Sequence, residues 1–263
     1  AGYPDDQAKL GRYWPADVHV MAKDIFVRFH ATLWPAMLMA LGLPIPRRVF
    51  AHGYWTLGGQ KISKSRGGGM PRPGPVLETV MAETGCSRAR AVDALRYHML
   101  REVPFGQDGE FSVEALLARY ANDLANDLGN LLNRVLPMIA RYRQGLIPPP
   151  CPPEPELDFS AVQRAIWSLR CESIRDVSHQ DPWSPAREGR QQELDRVLYA
   201  AAEAIRIAAV LVAAVMPHAA REIERQLGLT ESARTWAEAS QWGLLPGGQR
   251  IGEPQPLFPR LEQ

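Results

Sequence analysis

Three cations and two hydroxyl side chains lie between two glycine runs in the segment Gly58-Gly59-Gln60-Lys61-Ile62-Ser63-Lys64-Ser65-Arg66-Gly67-Gly68-Gly69, which has no acidic residue. Glycine lets the backbone approach a ligand closely, and lysine and serine are donors that suit phosphate oxygens. The segment therefore predicts a flexible loop that closes over a polyphosphate and neutralises charge there. A solvated basic hairpin tip is the alternative that these residues leave open.

The residues before this loop predict a strand–helix–strand unit. The apolar run 18–21 predicts a buried strand, and 23–41 has apolar residues at helical spacing with a kink expected at Trp34-Pro35. A second strand is predicted over 48–56, followed by the hairpin signal Gly58-Gly59. Such a unit requires a parallel sheet. Since ligands bind at the carboxyl ends of parallel strands, the residues after both strands are expected to face one crevice.

The five residues Lys61-Ile62-Ser63-Lys64-Ser65 are similar to the KMSKS signature of class I aminoacyl-tRNA synthetases, with Ile62 in the position of Met. Further stretches resemble methionyl-tRNA synthetases in order and spacing, and these are Tyr13-Trp14-Pro15-Ala16-Asp17-Val18-His19-Val20, Phe50-Ala51-His52-Gly53, Asp93-Ala94-Leu95-Arg96-Tyr97, Arg101-Glu102-Val103-Pro104-Phe105-Gly106-Gln107-Asp108-Gly109 and the segment 123–134. The resemblance extends from about residue 2 to 261 and is thinnest between 148 and 191.

This resemblance implies that the basic loop binds ATP. Lys64 would contact the ATP phosphates and the transition state, Lys61 would assist it, and Ser63 and Ser65 would belong to the same ATP-binding group. The implied reaction activates methionine with ATP, accompanied by Mg²⁺, and then transfers the methionyl group to tRNA. The implied function is therefore that of a methionine–tRNA ligase.

The resemblance also implies a methionine and adenylate pocket formed by Asp24, Ile25, His30 and Trp34. The family has five residue steps between the aspartate and the histidine, whereas this sequence has six. One added residue rotates a helix by about 100°, so one of the two is displaced unless a bulge absorbs the extra residue. An ordinary helix position for His30 and a core position for Trp34 are the alternatives.

From Ser112 onward the sequence has the pattern of long helices. Residues at steps of three and four form an apolar, core-facing stripe, and they are Leu117, Tyr120, Leu124, Leu128, Leu131, Val135 and Met138. Asn122, Asn126, Asn130 and Arg134 form a separate polar ridge at steps of four. Because asparagine is a mediocre helix former, the ridge indicates either recognition of base edges or a hydrated face.

The resemblance implies that Asn130, Arg134 and Trp183 recognise the anticodon. The expected partner is the anticodon stem-loop of tRNA(Met), with Trp183 stacking on an unpaired base. Arg141 and Arg143 are expected to hold phosphates. The alternative for Trp183, which lies between two prolines, is a core position in the helical bundle.

The composition excludes several classes of protein. A net charge of +1 restricts any nucleic-acid contact to a local patch. The three cysteines, Cys86, Cys151 and Cys171, contain no C-x-x-C pair, so we expect a reducing compartment and no zinc or other metal site in this chain. The longest apolar stretch, 207–216, is too short to span a bilayer. Without a secretory signal, a cytoplasmic protein with no membrane partner is expected.

These interpretations predict a mainly α fold with an α/β N-terminal part. It would comprise a remnant of a Rossmann-like class I catalytic domain at 1–70, a connecting segment at 71–111, and an all-α anticodon-binding bundle at 112–263. No HIGH-type motif is present, so the chain is interpreted as the C-terminal half of the enzyme, inactive without a missing N-terminal half. One alternative is a non-catalytic tRNA-binding module. The other is a cysteine- or valine-type class I synthetase, and the sequence of 101–109 argues against this second alternative.

Overall fold

The computed structural model describes residues 2–61, 72–152, 191–230, 235–239 and 241–260. The chain forms two compact units, the first made of Ala1–Met70 with Glu102–Ser112 and the second of Pro71–Arg101 with Val113–Gln263. The segment 71–111, expected as a connector, is thus shared between the two units. The functional boundaries given above remain a prediction.

The first unit contains the predicted parallel strand–helix–strand arrangement. Its elements in chain order are α1 (Gln7–Tyr13), β1 (His19–Ala22), a 3₁₀ turn (Lys23–Ile25), the π-helix π1 (Phe26–Leu33), α2 (Trp34–Ala40), β2 (Val49–His52), β3 (Trp55–Leu57), β4 (Gln60–Lys61) and β5 (Gly109–Glu110). Strands β1 and β2 pair in parallel, with His19 opposite Val49 and Ala22 opposite His52. Strand β3 pairs antiparallel with β4 and parallel with β5.

The single strand predicted over 48–56 is two strands, β2 and β3, which belong to different sheets. The break occurs at Gly53 and Tyr54, where the chain passes close to another segment. A Cβ atom at Gly53 would collide with the carbonyl oxygen of Gln107, so only glycine permits this approach. The sequence pattern of 48–56 carries no information about that neighbour.

The prediction that the first strand is buried is wrong. Val20 is 59% exposed, and the apolar residues of the following helical segment, Phe29, Leu33 and Met37, are exposed as well. Within the described residues the parallel sheet has only two strands, and Val20 and Phe50 are exposed whereas the other residues of both strands are half-buried.

The helix predicted over 23–41 is continuous but changes type twice. A 3₁₀ turn leads into π1, and α2 begins at Trp34, where a kink was expected because Pro35 lacks an N–H group. The segment ends before Gly42, which has a φ of +67°.

The second unit is helical in its described part. Its elements are α3 (Pro73–Thr84), α4 (Arg88–Arg101), α5 (Val113–Arg119), the π-helix π2 (Tyr120–Gly129), α6 (Asn130–Arg143), α7 (Gln191–Val212), α8 (Pro217–Gln226) and the short α9 (Trp236–Ala239). Gly85 follows the end of α3 and Gly228 lies just after the end of α8, and both residues have positive φ angles. Helix α6 continues through Pro137.

The core of the second unit lies along π2, α6 and α7. The predicted stripe is buried from Tyr120 to Met138, whereas Leu117 is half-buried. Leu257 and Phe258 of the tail are also buried, and the Phe258 ring meets the Tyr120 ring edge-on at 5.6 Å. The tail thus packs on the helices of the second unit. No helix in the described ranges is both long enough and apolar enough to cross a membrane.

Candidate ATP-binding hairpin and RNA-binding helix

The hairpin that carries the basic loop has the predicted two-residue turn. Leu57 pairs with Gln60 and Thr56 with Lys61, so Gly58 and Gly59 form the turn. Their φ angles of +59° and +72° lie in the left-handed region that glycine adopts without a steric penalty. Lys61 is the last residue of the described range 2–61. The predicted loop residues Ser63, Lys64 and Ser65 lie outside the described residues.

A carboxylate holds this turn from the neighbouring strand. The backbone nitrogen of Gly59 lies 3.3 Å from each carboxylate oxygen of Glu110, and the hydroxyl of Thr56 donates to the same carboxylate. The Thr56 hydroxyl, and then the backbone N–H groups of Gly59 and Gly58, hold the pKa of Glu110 below its ordinary value. Sequence reasoning missed Glu110, because its partners Thr56 and Gly59 lie more than 50 positions away in the sequence.

A second carboxylate of the same segment, that of Asp108, connects the residue after β1 to the residue before β3. Lys23 Nζ lies 2.5 Å from Asp108 Oδ2, and the backbone N–H of Tyr54 donates to Asp108 Oδ1 over 2.8 Å. The Lys23 hydrogen bond and then the Tyr54 N–H lower the pKa of Asp108. The Lys23 ammonium also lies 5.7 Å from the centroid of the Tyr54 ring. Asp108 therefore fixes the residue that precedes the predicted pocket residue Asp24.

The predicted pocket residues follow one another along the segment that leaves β1. Asp24 and Ile25 lie in the 3₁₀ turn and are exposed, whereas His30 lies in π1 and is half-buried. Nδ1 of His30 lies 3.0 Å from the carbonyl oxygen of Ile25. Trp34 begins α2, and its buried Nε1 has no hydrogen-bond partner among the described residues.

The extra residue between Asp24 and His30 falls where the helix is of the π type. A π-helix bonds residue i to i+5 rather than i+4, so it accommodates one more residue in a hydrogen-bonded turn. Of the two possibilities left by the sequence, the structure has the bulge. The pocket role of these four residues remains a prediction.

The polar ridge of the second unit lies on its surface. Asn122, Asn126 and Arg134 are exposed, and Asn130 is half-buried. Oδ1 of Asn130 lies 3.4 Å from Nη2 of Arg260 in the tail, a contact that the sequence did not indicate. Within the described residues no carboxylate pairs with Arg134. Trp183, the predicted stacking residue, lies outside the described residues.

The two arginines expected to hold phosphates differ in their surroundings. Arg143 Nε lies 3.2 Å from Asp195 Oδ1 of α7, so its charge is already paired. Arg141 is exposed, and its guanidinium lies 5.3 Å from the centroid of the Tyr142 ring. Arg141 is thus the better placed of the two for a phosphate.

Helix α4 fixes the corner between α7 and α8, which sequence reasoning also missed. Arg96 donates from Nε to the carbonyl oxygen of Val215 and from Nη2 to that of Ala214. Asp93 accepts the backbone N–H of Ala219 in the first turn of α8.

No group of three histidine, cysteine, aspartate or glutamate residues in the described ranges could hold a metal ion. The expected absence of a metal site remains a prediction.

Two protein families match this chain. The family described as tRNA synthetases class I (M) matches residues 3–136, and the anticodon binding domain of methionyl tRNA ligase matches residues 158–263. The second match covers residues 158–263 of the bundle predicted at 112–263 and includes Trp183, whereas the first match extends into that bundle as far as residue 136.

Curated relatives and solved structures agree with these families. A methionine–tRNA ligase of Caldanaerobacter subterraneus subsp. tengcongensis is 40% identical over 98% of this chain and 42% of its own length. A methionine–tRNA ligase of Nostoc is 37% identical over 99% of this chain and 52% of its own length. Mycobacterium tuberculosis methionyl-tRNA synthetase in complex with methionyl-adenylate has a TM-score of 0.81 and 38% identity, over 99% of this chain and 53% of that one.

The chain thus spans about half the length of the relatives that it matches. These comparisons do not support the expectation that the chain is a C-terminal half, nor the expectation of a missing N-terminal half as its partner. The matched family is the methionine type, which argues against a cysteine- or valine-type synthetase.

Proposed function

This chain belongs to the class I tRNA synthetases of the methionine type, and we therefore propose that it acts in the ATP-dependent charging of tRNA(Met) with methionine. The observation that supports the proposal most is the order of the two family matches, a synthetase domain followed by an anticodon-binding domain. The glycine hairpin that leads into the basic loop lies within the first match.

Lys64 is proposed to act on the phosphates of ATP. In adenylate formation a methionine carboxylate oxygen attacks the α-phosphorus, and the bond to pyrophosphate breaks. Negative charge then increases on the phosphate oxygens, which a lysine ammonium stabilises more in the transition state than in the ground state. Lys61, Ser63 and Ser65 are proposed to donate to the same oxygens. Mg²⁺ is proposed to bind through the ATP phosphates, as it commonly does.

Asp24, Ile25, His30 and Trp34 are proposed to line the methionine pocket. The carboxylate of Asp24 suits the substrate ammonium group. The indole of Trp34 suits a thioether side chain, because sulfur packs favourably against aromatic rings. Asp24 lies in the turn that follows the carboxyl end of β1, separated from the strand by Lys23, and ligands of parallel sheets bind at this end.

Asn130, Arg134 and Trp183 are proposed to bind the anticodon. Asn130 and Arg134 are one helical turn apart in α6, so both side chains project from one ridge. Asparagine offers a donor and an acceptor to a base edge, and arginine offers a planar fork. Arg141 is proposed to contact the RNA backbone.

RNA binding by this chain tests the proposal directly. We expect a stem-loop with a CAU anticodon to bind more tightly than the same stem-loop with an altered anticodon. Arg134→Ala should weaken the CAU stem-loop by about tenfold or more and reduce the discrimination. Arg141→Ala, the matched control, should weaken both RNAs alike and lower the salt dependence. Equal affinity for both stem-loops would contradict the assignment of the anticodon surface.

Kinetics test the catalytic part of the proposal. In methionine-dependent ATP–pyrophosphate exchange by the ligase that carries this chain, Lys64→Ala should lower kcat by about 10²-fold or more with little change in KM for methionine. Lys9→Ala, an exposed lysine of α1, serves as the control for a general loss of positive charge. Specific RNA binding without any exchange would favour the non-catalytic tRNA-binding module instead.

A further inference from the structure

We propose that Glu110 is a positioning residue for adenylate formation, because its carboxylate fixes the Gly58-Gly59 turn from which the basic loop continues. The catalytic consequence rests on the function proposed above, whereas the structural part does not. Glu110 is not itself placed on the substrate. Its effect passes through the hairpin stem, which ends at Lys61.

The carboxylate meets the hairpin at two points. Both of its oxygens lie 3.3 Å from the backbone nitrogen of Gly59, inside the turn, and it accepts the Thr56 hydroxyl on strand β3, before the turn. A bridge between these two positions restricts the angle at which the chain leaves the hairpin. Backbone N–H groups in positive-φ turns form a concave site that suits an anion.

The position of Glu110 is itself fixed by backbone pairing. The N–H of Gly109 donates to the carbonyl oxygen of Tyr54, and the N–H of Phe111 donates to that of Thr56, each over 2.9 Å. Glu110 therefore lies between two ladder bonds, directly opposite Thr56. The Phe111 ring also packs against the Trp55 ring at 6.2 Å.

Close packing at Gly109 restricts the movement of β5 further. A Cβ atom at Gly109 would collide with the side chain of Val103, so β5 packs closely there. A carboxylate on such a short, closely packed strand has little freedom to follow a moving turn. We infer that the turn is held in the orientation set by β5.

A carboxylate suits this role better than an amide. The Thr56 hydroxyl and the Gly59 N–H are both donors, and an ionised carboxylate accepts on both oxygens, whereas glutamine presents one acceptor and one donor group. Glu110→Gln should therefore preserve the size of the side chain and lose part of the bridge. Thr56→Val removes the other end of the bridge while keeping a β-branched strand residue.

Nuclear magnetic resonance on this chain tests the structural part. The amide signal of Gly59 should shift with pH as the Glu110 carboxylate titrates, with a midpoint below its ordinary value of 4.5, and the shift should vanish in Glu110→Gln. Exchange of the Gly59 amide hydrogen should become about threefold faster or more in Glu110→Gln and Thr56→Val. The double variant should be hardly faster than either single variant. A Gly59 amide chemical shift that does not change as Glu110 titrates would overturn the proposal.

Kinetics test the positioning part. Glu110→Gln should lower kcat of methionine-dependent exchange by about tenfold and Glu110→Ala by more, with KM for methionine within about twofold, since small misplacements of a catalytic group have large effects. Glu83→Gln, an exposed glutamate of α3, should change neither quantity. An unchanged kcat in Glu110→Ala would overturn the proposal. Absence of exchange by the unaltered enzyme would overturn the proposed function, and the Gly59 titration would then still decide whether Glu110 holds the turn.

Discussion

The carboxylate of Asp93 lies 2.6 Å from the backbone nitrogen of Ala219, 126 positions further along the chain. Asp93 is fully buried in α4, and it also lies 3.1 Å from Nδ1 of His218. Asp93 accepts an N–H group in the first turn of α8. Met216 precedes that helix, and its side chain does not cap it. The N-terminus of α8 is thus capped by a side chain of α4.

Asp93→Ala should destabilise the second unit by about 2–3 kcal/mol, because it removes a cap and leaves a buried N–H without a partner. Asp93→Asn retains one acceptor and should cost less. Unfolding in urea, followed by circular dichroism, measures both values. Glu78→Ala, an exposed position of α3, should stay within about 0.5 kcal/mol. Equal stability of Asp93→Ala and Glu78→Ala would contradict the capping role.

A buried ion pair binds the segment 241–245 to α7. Glu203 is fully buried and accepts from Arg206 as well as from the backbone N–H groups of Gly243, Leu244 and Leu245. Arg206 in turn donates to the carbonyl oxygen of Gln241 over 2.8 Å. The charges of the pair are thus surrounded by further hydrogen bonds.

Arg206→Met should destabilise the protein by about 3–5 kcal/mol, because it leaves the Glu203 charge buried without its partner. The double variant Arg206→Met/Glu203→Gln should be less destabilised than the sum of the two single variants. Denaturant unfolding of all four proteins gives this coupling energy. Additive losses would indicate that the two residues act independently.

The π-helix π1 makes an unusual deletion testable. Val27 lies in π1 and is 66% exposed. Because a π turn holds one residue more than an α turn, removal of Val27 should leave an α-helix and keep His30 and Trp34 on their present faces. We expect a melting temperature equal to or above that of the unaltered chain. Deletion of Met39, exposed in the α-helix α2, is the matched control and should lower it. A loss of folding on deletion of Val27 alone would contradict this account.

Asp108 makes the stability of the first unit dependent on pH. Since its pKa is lowered in the folded state, its contribution is present above the ordinary pKa of 3.8 and is lost as the pH falls through the lower folded value. The stability difference between the unaltered chain and Asp108→Asn should therefore be largest above about pH 4 and shrink in more acidic solution. Tryptophan fluorescence during urea unfolding at several pH values measures it. A difference that is constant with pH would argue against the Lys23–Asp108 pair.

Much of the local structure was predictable, because it depends on neighbours in sequence. Gly58 and Gly59 specify their turn by the positive φ angles that it requires. Gly85 ends α3 for the same reason. The apolar stripe of π2 and α6 was predictable from its spacing and is buried from Tyr120 to Met138.

The contacts between distant segments were not predictable. Asp93, Glu110 and Glu203 are ordinary acidic residues in the sequence, and their roles depend on partners up to 126 positions away. The exposure of the β1 residue Val20 was also missed, because an apolar strand pattern does not reveal how many strands a sheet has. Propensity cannot predict π1 either, since the same apolar spacing suits an α-helix.

The discontinuity of the first unit has a consequence for synthesis on the ribosome. Strand β5, preceded directly by Asp108, comes about 50 residues after Lys61, and all of α3 and α4 emerges before it. At a translation rate of about 5–20 residues per second, β5 is synthesised roughly 3–10 s after the hairpin of β3 and β4. During that interval the edge of β3 that later pairs with β5 is open to another chain, and such edges promote aggregation. The nascent chain is therefore most exposed to association, and to chaperone binding, while α3 and α4 are being translated.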